Sequence, residues 1–361
     1  MAEGGQVTDA EEEQGAVAHG PAHLHPRAVA MTLTVDPHLG GARADQFLSH
    51  KIKRLSRTRA AAIIDHGDLQ RTDGVKLRPA SRVVALETLT LWRVPPDEAP
   101  ADVNIPVLHQ DEQLVVFNKP PNIAVHPSAR YYAGTLTQIL RHTGFPKSAE
   151  ADAVRVPRPA HRLDRETSGV LVCCRTESSE RTWKKRFLRG RVEKTYLALC
   201  EGEPAWERAV LDAPLGVLPN LPVRIKMGPR PDGLPARTDV EVLWRGAGRS
   251  LLCCRPRTGR THQIRAHLCA AGLPIVGDKL YGPQGVEWFA RYADEGLSDE
   301  LAAQLAHERQ ALHAAVLQAE DVAFLAPWPG DLRALCPDAA PAADAALESA
   351  RVSLGIGPGV R

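Results

Sequence analysis

The sequence predicts an α+β protein of two domains. Its 361 residues exceed one small domain and fall short of three. Strand and helix signals follow one another through residues 107–336 without a repeat and without the strand–helix–strand rhythm of a parallel sheet. Pro95, Pro96, Pro100 and Pro106 make residues 96–106 a stiff linker between that stretch and a smaller unit over 31–95.

Taken in order, residues 1–30 are rich in Gly, Ala, His and Glu, show no periodicity, and predict a disordered leader. In the small unit, Ala44, Phe47 and Leu48 have helical spacing over Ala42 to His50. Ser56 is a good N-cap for a second helix with Ala60, Ile63 and Ile64 facing inward, and Gly67 ends it. Short strands are expected at Val83–Ala85 and Leu89–Trp92.

In the larger unit, strands are expected at Gln113–Asn118 and Gly169–Cys174. Glu177–Gly190 reads as a helix with Trp183 and Phe187 four apart. Glu193–Glu201 and Thr238–Trp244 alternate with period two, with Val240, Val242 and Trp244 on one face. Thr261–Ala271 reads as a helix capped by Thr261 and stopped by Gly272, with Ile264 and Leu268 inward. Ser298–Glu308 is the last predicted helix, with Leu301 and Leu305 inward. Residues 337–361, rich in Ala and Pro, predict a flexible tail. Its glycine-rich run, Gly355 to Gly359, follows no predicted strand and is not a nucleotide loop.

Net charge is only +2, but it is unevenly spread. Residues 1–30 hold five acids against the single base Arg27, so the remainder carries +6. Residues 43–82 hold ten Lys and Arg against four acids, and 155–194 hold twelve against five. Two basic zones suit a polyanionic partner, although a solvated charged surface explains them equally well. Seven cysteines include the adjacent pairs Cys173–Cys174 and Cys253–Cys254, each closing an apolar run. Neither pair suits an ordinary disulfide or a zinc knuckle, so buried reduced thiols in a cytoplasmic protein are expected. No apolar run approaches the roughly 18 residues of a membrane span, and the N-terminus lacks a signal-peptide layout.

Three stretches hold groups capable of chemistry. His161-Arg162-Leu163-Asp164-Arg165-Glu166-Thr167-Ser168 places a carboxylate in a polar turn just before an apolar strand. A surface Asp paired with its neighbouring arginines is the plainer alternative. Arg257-Thr258-Gly259-Arg260-Thr261-His262-Gln263-Ile264-Arg265-Ala266-His267 runs from a turn into a helix start, where backbone N–H groups favour an anion. His262 and His267 lie five apart, roughly 140° around a helix, which does not match a helical metal pair. In Glu193-Lys194-Thr195-Tyr196, the tyrosine sits in a strand among apolar neighbours and reads equally well as an ordinary half-buried residue.

In this order the three stretches resemble the RluA-type pseudouridine synthase family. The likeness continues in Asn118-Lys119-Pro120-Pro121, Val125-His126-Pro127, Leu273 to Gly282 and Leu312-His313-Ala314, and covers about 108–336. Arg43 to Leu48, Leu55 to Arg59 and Ile63 to Leu69 resemble a second family, the small RNA-binding module of a small-subunit ribosomal protein and of tyrosyl-tRNA synthetases.

The resemblance implies a mixed, mostly antiparallel central sheet flanked by helices, preceded by a small α/β RNA-binding module. It implies isomerisation of uridine to pseudouridine in ribosomal or transfer RNA by base flipping, with no cofactor and no metal. It assigns the catalytic carboxylate to Asp164, its cationic partner to Arg265 and the active-site tyrosine to Tyr196. Arg162 is expected to fill the gap left in the RNA. Arg260, His262, Gln263, Ile264 and Leu280 are expected to bind RNA or base in the catalytic domain, and Arg57 and Arg59 in the module. A cytoplasmic monomer, free of membranes, is the expected setting. Two rival functions remain: a non-catalytic RNA-binding assembly factor, and a glycoside hydrolase using Asp164 with Glu166.

Overall fold

The computed structural model describes residues 28–52, 55–72, 75–93, 104–127, 134–142, 155–223, 225–320 and 322–357. The predicted leader up to residue 27 and the proline cluster at Pro95, Pro96 and Pro100 lie outside them. The chain divides into two compact units, Met1–Asp97 and Glu98–Arg361.

The first unit contains strand β1 (Val29–Thr34), helices α1 (Ala44–Lys51) and α2 (Arg57–His66), and strands β2 (Leu69–Arg71) and β3 (Thr88–Arg93). The strands pair antiparallel in the order β1-β3-β2. Phe47, Leu48, Ile64, Leu69 and Leu89 are fully buried between helices and sheet. Ser56 caps α2 by accepting a hydrogen bond from the Arg59 N–H, and Gly67 closes it in the left-handed region at φ 91°. Residues 29 and 30, assigned to the leader from sequence, belong to β1. Val83–Ala85 is not a strand. Val83 exchanges backbone hydrogen bonds with Gly41 and Ala42 in the loop before α1, so no ladder extends past one bridge, Arg43 to Arg82.

The second unit runs β4 (Val107–Gln110), β5 (Leu114–Lys119), α3 (Leu136–His142), β6 (Arg158–Pro159), β7 (Ser168–Cys174), α4 (Glu177–Leu188) and β8 (Glu193–Glu201). It continues with β9 (Arg208–Leu211), β10 (Leu215–Val217), β11 (Met227–Pro229), β12 (Thr238–Gly246), β13 (Arg249–Pro256), α5 (Gln263–Ala270) and α6 (Gly285–Glu295). It ends with α7 (Asp299–Ala302), β14 (Leu312–Ala319), β15 (Val322–Leu325), α8 (Gly330–Leu335) and α9 (Ala340–Ser353).

Ten strands among the described residues form one sheet, β4-β5-β7-β14-β8-β13-β12-β9, with β6 beside β7 and β15 beside β14. Every pairing is antiparallel except β7 with β14, so the sheet is mixed and mostly antiparallel as expected. β7 is buried along its whole length, and β10 and β11 form a separate ribbon.

The parallel pairing of β7 and β14 positions everything that follows. Ser168 and Gly169 align with His313 and Ala314. Gly169 adopts φ 112°, and a Cβ there would collide with the Ala314 carbonyl oxygen. Only glycine lets the two backbones approach this closely immediately after the polar turn that holds Asp164.

Two C-terminal expectations are corrected. The described part of the predicted tail, residues 337–357, is ordered: α9 buries Ala343 and Leu347 in the same core as β8 and β13. Alanines along one face make a shallow apolar stripe that composition alone disguises. The helix expected over Ser298–Glu308 stops at Ala302. Beyond it the Gln304 carbonyl is taken by the Gln284 side chain and the Glu308 carbonyl by Lys279, so neither serves a helical ladder.

Candidate active site

A cleft of about 690 Å³ opens where the turn before β7, strand β8 and the loop into α5 meet. Asp164, Tyr196 and Arg265 all line it. The Asp164 carbonyl accepts from the Thr167 N–H at 3.1 Å, closing a tight turn directly into β7. Tyr196 lies on the neighbouring fold line because β8 pairs with β14, which pairs with β7.

Arg265, in the first turn of α5, joins two carboxylates. Its Nη1 donates to Asp164 Oδ2 at 2.8 Å. Its Nε and Nη2 donate to Asp278 at 2.7 and 2.9 Å in a bidentate pair. Asp278 is fully buried and also accepts from the backbone N–H groups of Leu280 and Tyr281. The guanidinium lies 4.9 Å from the centre of the Tyr281 ring. Asp278 thus fixes Arg265, and Arg265 fixes Asp164.

The Asp164 side chain keeps 23% of its surface exposed, toward the cleft. Burial works to raise its carboxyl, but His262 when charged, Arg265 and Arg162 hold it at about 2. Burial lowers His262 itself to about 4, so at neutral pH Arg265 is the closest standing cation. Burial and the Asp164 charge both push the Tyr196 hydroxyl well up, so it remains a proton donor at neutral pH. At neutral pH an ionised carboxylate therefore faces the same space as a protonated phenol.

The turn is held from behind by charged groups that hydropathy patterns hide. Lys119, fully buried at the end of β5, donates to the carbonyls of Pro120, Ile123 and Arg165 at 2.8, 2.9 and 3.1 Å. Glu166 accepts from Arg165 and Lys279 at 2.8 Å on one oxygen and from the Gln310 N–H at 3.2 Å on the other. Arg309 donates to the Glu166 carbonyl and makes a bidentate pair with Asp331 at 2.6 and 3.0 Å. Thr167 accepts from Gln310 at 2.6 Å, and Ser168 bonds His313 at 2.9 Å. Residues 165–168 are each tied down, leaving Asp164 little freedom to turn away. Asp164 and Glu166 accordingly do not act as a carboxylate pair, because both Glu166 oxygens are engaged inside the protein.

A family model described as RNA pseudouridylate synthase matches residues 113–270. The ribosomal large subunit pseudouridine synthase D of Xanthomonas campestris is 35% identical over 322 residues, 85% of this chain and 92% of the relative. That of Zymomonas mobilis is 32% identical over 315 residues, 84% of this chain and 95% of the relative. The chain belongs to the RluA-type RNA pseudouridine synthase family. Its members are isomerases that form pseudouridine in RNA. In fold the chain also resembles human RNA pseudouridylate synthase domain containing 1, with a TM-score of 0.51 at 23% identity, over 73% of this chain and all of that one.

Among the residues expected to bind RNA in this pseudouridine synthase, Arg162 is exposed and Ile264 lines the cleft. Arg260 lines it too, with Nε donating to the Pro235 carbonyl at 2.9 Å. His262, not Thr261, caps α5, in the left-handed region at φ 53°, and its Nδ1 lies 3.2 Å from the Tyr281 hydroxyl. His267 points elsewhere, to the Thr238 hydroxyl and the Ala213 carbonyl.

Two expectations change. The Gln263 amide is engaged inside the protein: it accepts from Thr258 and the Arg260 N–H and donates to the Arg237 carbonyl and Thr238. It lines the cleft, and through these bonds it clamps the loop before α5. Leu280 is buried in a separate cluster with Leu215, Ala266 and Tyr281, away from the cleft. Arg57 and Arg59 are exposed on α2 of the first unit. Lys119, Asp278, Lys279 and Arg309 received no role from sequence, and Glu166 only that of a rival carboxylate partner. The available signal was a charged residue isolated in an apolar context, as in Val115-Val116-Phe117-Asn118-Lys119 and Ile275-Val276-Gly277-Asp278-Lys279.

Proposed function

We propose that this enzyme converts uridines of large-subunit ribosomal RNA to pseudouridine, with Asp164 as the catalytic carboxylate. The observation that carries this reading is the Asp164–Arg265 contact at 2.8 Å at the wall of an open cleft shared with Tyr196. The relatives named for the ribosomal large subunit supply the choice of RNA.

An everted uridine placed in the cleft brings its ribose to Asp164 and its uracil to Tyr196. The bond between the base nitrogen and the anomeric carbon breaks, the uracil turns within the enclosed space, and carbon five of the base bonds the sugar. The proton displaced from carbon five leaves to solvent. Arg265 keeps Asp164 ionised and oriented, and so acts as a positioning residue. The Tyr196 ring offers a stacking face and its hydroxyl a proton. Arg162, at the cleft mouth, is suited to occupy the place the uridine vacates.

We propose a cytoplasmic monomer as its setting. No helix among the described residues is long and apolar enough to cross a membrane. The first unit serves as an RNA grip through α2. The double substitution Arg57→Ala with Arg59→Ala should weaken RNA binding and flatten its salt dependence by roughly one to two counterions, with catalysis of bound RNA unchanged. Filter binding across a salt series measures this, and an unaltered slope removes α2 from the interface.

Pseudouridine maps of ribosomal RNA from parental and deletion strains test the main proposal. A large-subunit pseudouridine missing in the deletion strain, and restored by the wild-type chain but not by Asp164→Asn, is the expected result. Identical maps would refute it.

A further inference from the structure

Resting on the reading just given, we infer that Lys194 is the residue that takes a backbone phosphate of the everted uridine. Lys194 lies two residues before Tyr196 on β8, so both side chains leave the same face of the strand. Both line the cleft that contains Asp164. Its ammonium lies against the loop into α5: a Cβ added to Gly259 would sit 3.8 Å from Nζ.

Among the described residues nothing beside this lysine is paired with it. Among the described residues its ammonium has neither a hydrogen bond nor an ion pair. Burial alone lowers its pKa. His161, the neighbour its charge reaches, is pushed by burial and by that charge to about 3 and is neutral. The His161 Nε2 already accepts from the Val172 N–H at 3.1 Å. Arg257 is paired with Asp239 at 2.7 Å, and Arg260 bonds the Pro235 carbonyl. Among the described residues the one acid on the cleft wall is Asp164, and it is held by Arg265.

A half-buried ammonium without a partner costs folding energy, so its place in the cleft calls for an anion from outside. An everted nucleotide carries a phosphate on each side of its ribose. With the ribose at Asp164 and the base at Tyr196, a flanking phosphate falls to the cation on the same wall. Lys194 then contributes to holding the RNA, equally in the ground and transition states. It is not required for the chemical step, because a contact of this kind lowers KM without raising kcat.

The test uses the full-length enzyme and a large-subunit ribosomal RNA transcript labelled with tritium at uridine carbon five. Lys194→Met should raise KM about tenfold and leave kcat within about threefold. The slope of log affinity against log salt should fall by about 0.7 to 0.9, the signature of one lost phosphate contact. Lys194→Arg should restore most of the KM. The thermal midpoint of Lys194→Met should equal or exceed that of the wild type, because an unpaired buried charge has been removed.

An unchanged KM and salt slope would overturn the assignment. So would a lowered thermal midpoint shared by the Met and Arg variants, which marks a structural lysine. Absence of turnover by the wild-type enzyme on this transcript would instead sink the reading of the reaction, and the lysine's role would fall with it.

Discussion

Asp164→Asn should lower turnover by at least ~10⁴-fold while the RNA still binds, the scale expected when a reacting carboxylate becomes an amide. The substitution preserves size and one oxygen to accept from Arg265, so the cleft keeps its shape. It removes the negative charge that either attacks the sugar or accepts its proton. Tritium release from carbon-five-labelled transcript measures the loss, and filter binding checks the affinity. Turnover within about tenfold of the wild type would remove Asp164 from the reaction.

The pH dependence of the same group has a fixed sign. The Asp164 carboxyl is held at about 2, below its ordinary 3.8, so it is ionised throughout the range in which the enzyme is folded and assayed. The stability it contributes with Arg265 is present above the ordinary value and is lost as pH falls toward 2. An acid limb in kcat/KM near pH 6 therefore does not belong to Asp164.

Asp278→Ala should lower the unfolding free energy by about 3–5 kcal/mol, the cost of leaving a buried charge without its partner. Asp278 is fully buried and receives four hydrogen bonds, two from Arg265 and two from the backbone of the following turn. Its loss leaves Arg265 with Asp164 alone and frees the Leu280 and Tyr281 N–H groups. Turnover should fall even at temperatures where the variant stays folded, because Arg265 no longer has a fixed orientation. Urea denaturation followed by circular dichroism gives the first quantity and tritium release the second. A midpoint unchanged from the wild type would show that Arg265 is fixed by something else.

Local signals in the sequence were reliable where one segment settles its own structure. Period-two alternation marked β8 with its bounds, and Ser56 and Gly67 closed α2 at both ends as their chemistry requires. Asp164, Tyr196 and Arg265 were singled out through the family resemblance, which also paired Asp164 with Arg265; their own local context did not distinguish them. Asp164 and Arg265 are 101 residues apart, and no local pattern encodes that contact.

What sequence concealed has common causes. α9 is Ala-rich, and small apolar residues give a weak helical signal even when they pack into a core. α5 begins at Gln263, whose side chain bonds the preceding loop, with His262 as a left-handed cap rather than a first helical residue. Lys119, Glu166 and Arg309 look like surface charges until the long-range partners that bury them are known. Gln263 and Leu280 stand in family motifs, and a motif does not say which members face the ligand and which brace those that do.

The bracing of the Asp164 turn has a consequence for the order of synthesis. Ser168 bonds His313, 145 residues later, and the Glu166 carbonyl and carboxylate wait for Arg309 and Gln310. A nascent chain that has emerged only as far as β13 already carries Asp164 and Tyr196, yet lacks the strand that slots between them. Competence must arrive late and all at once, after β14 inserts into the middle of a sheet whose flanks were made first. Such a centre, closed by a strand made near the end of the chain, ties modification activity to a nearly finished polypeptide and predisposes folding to be slow.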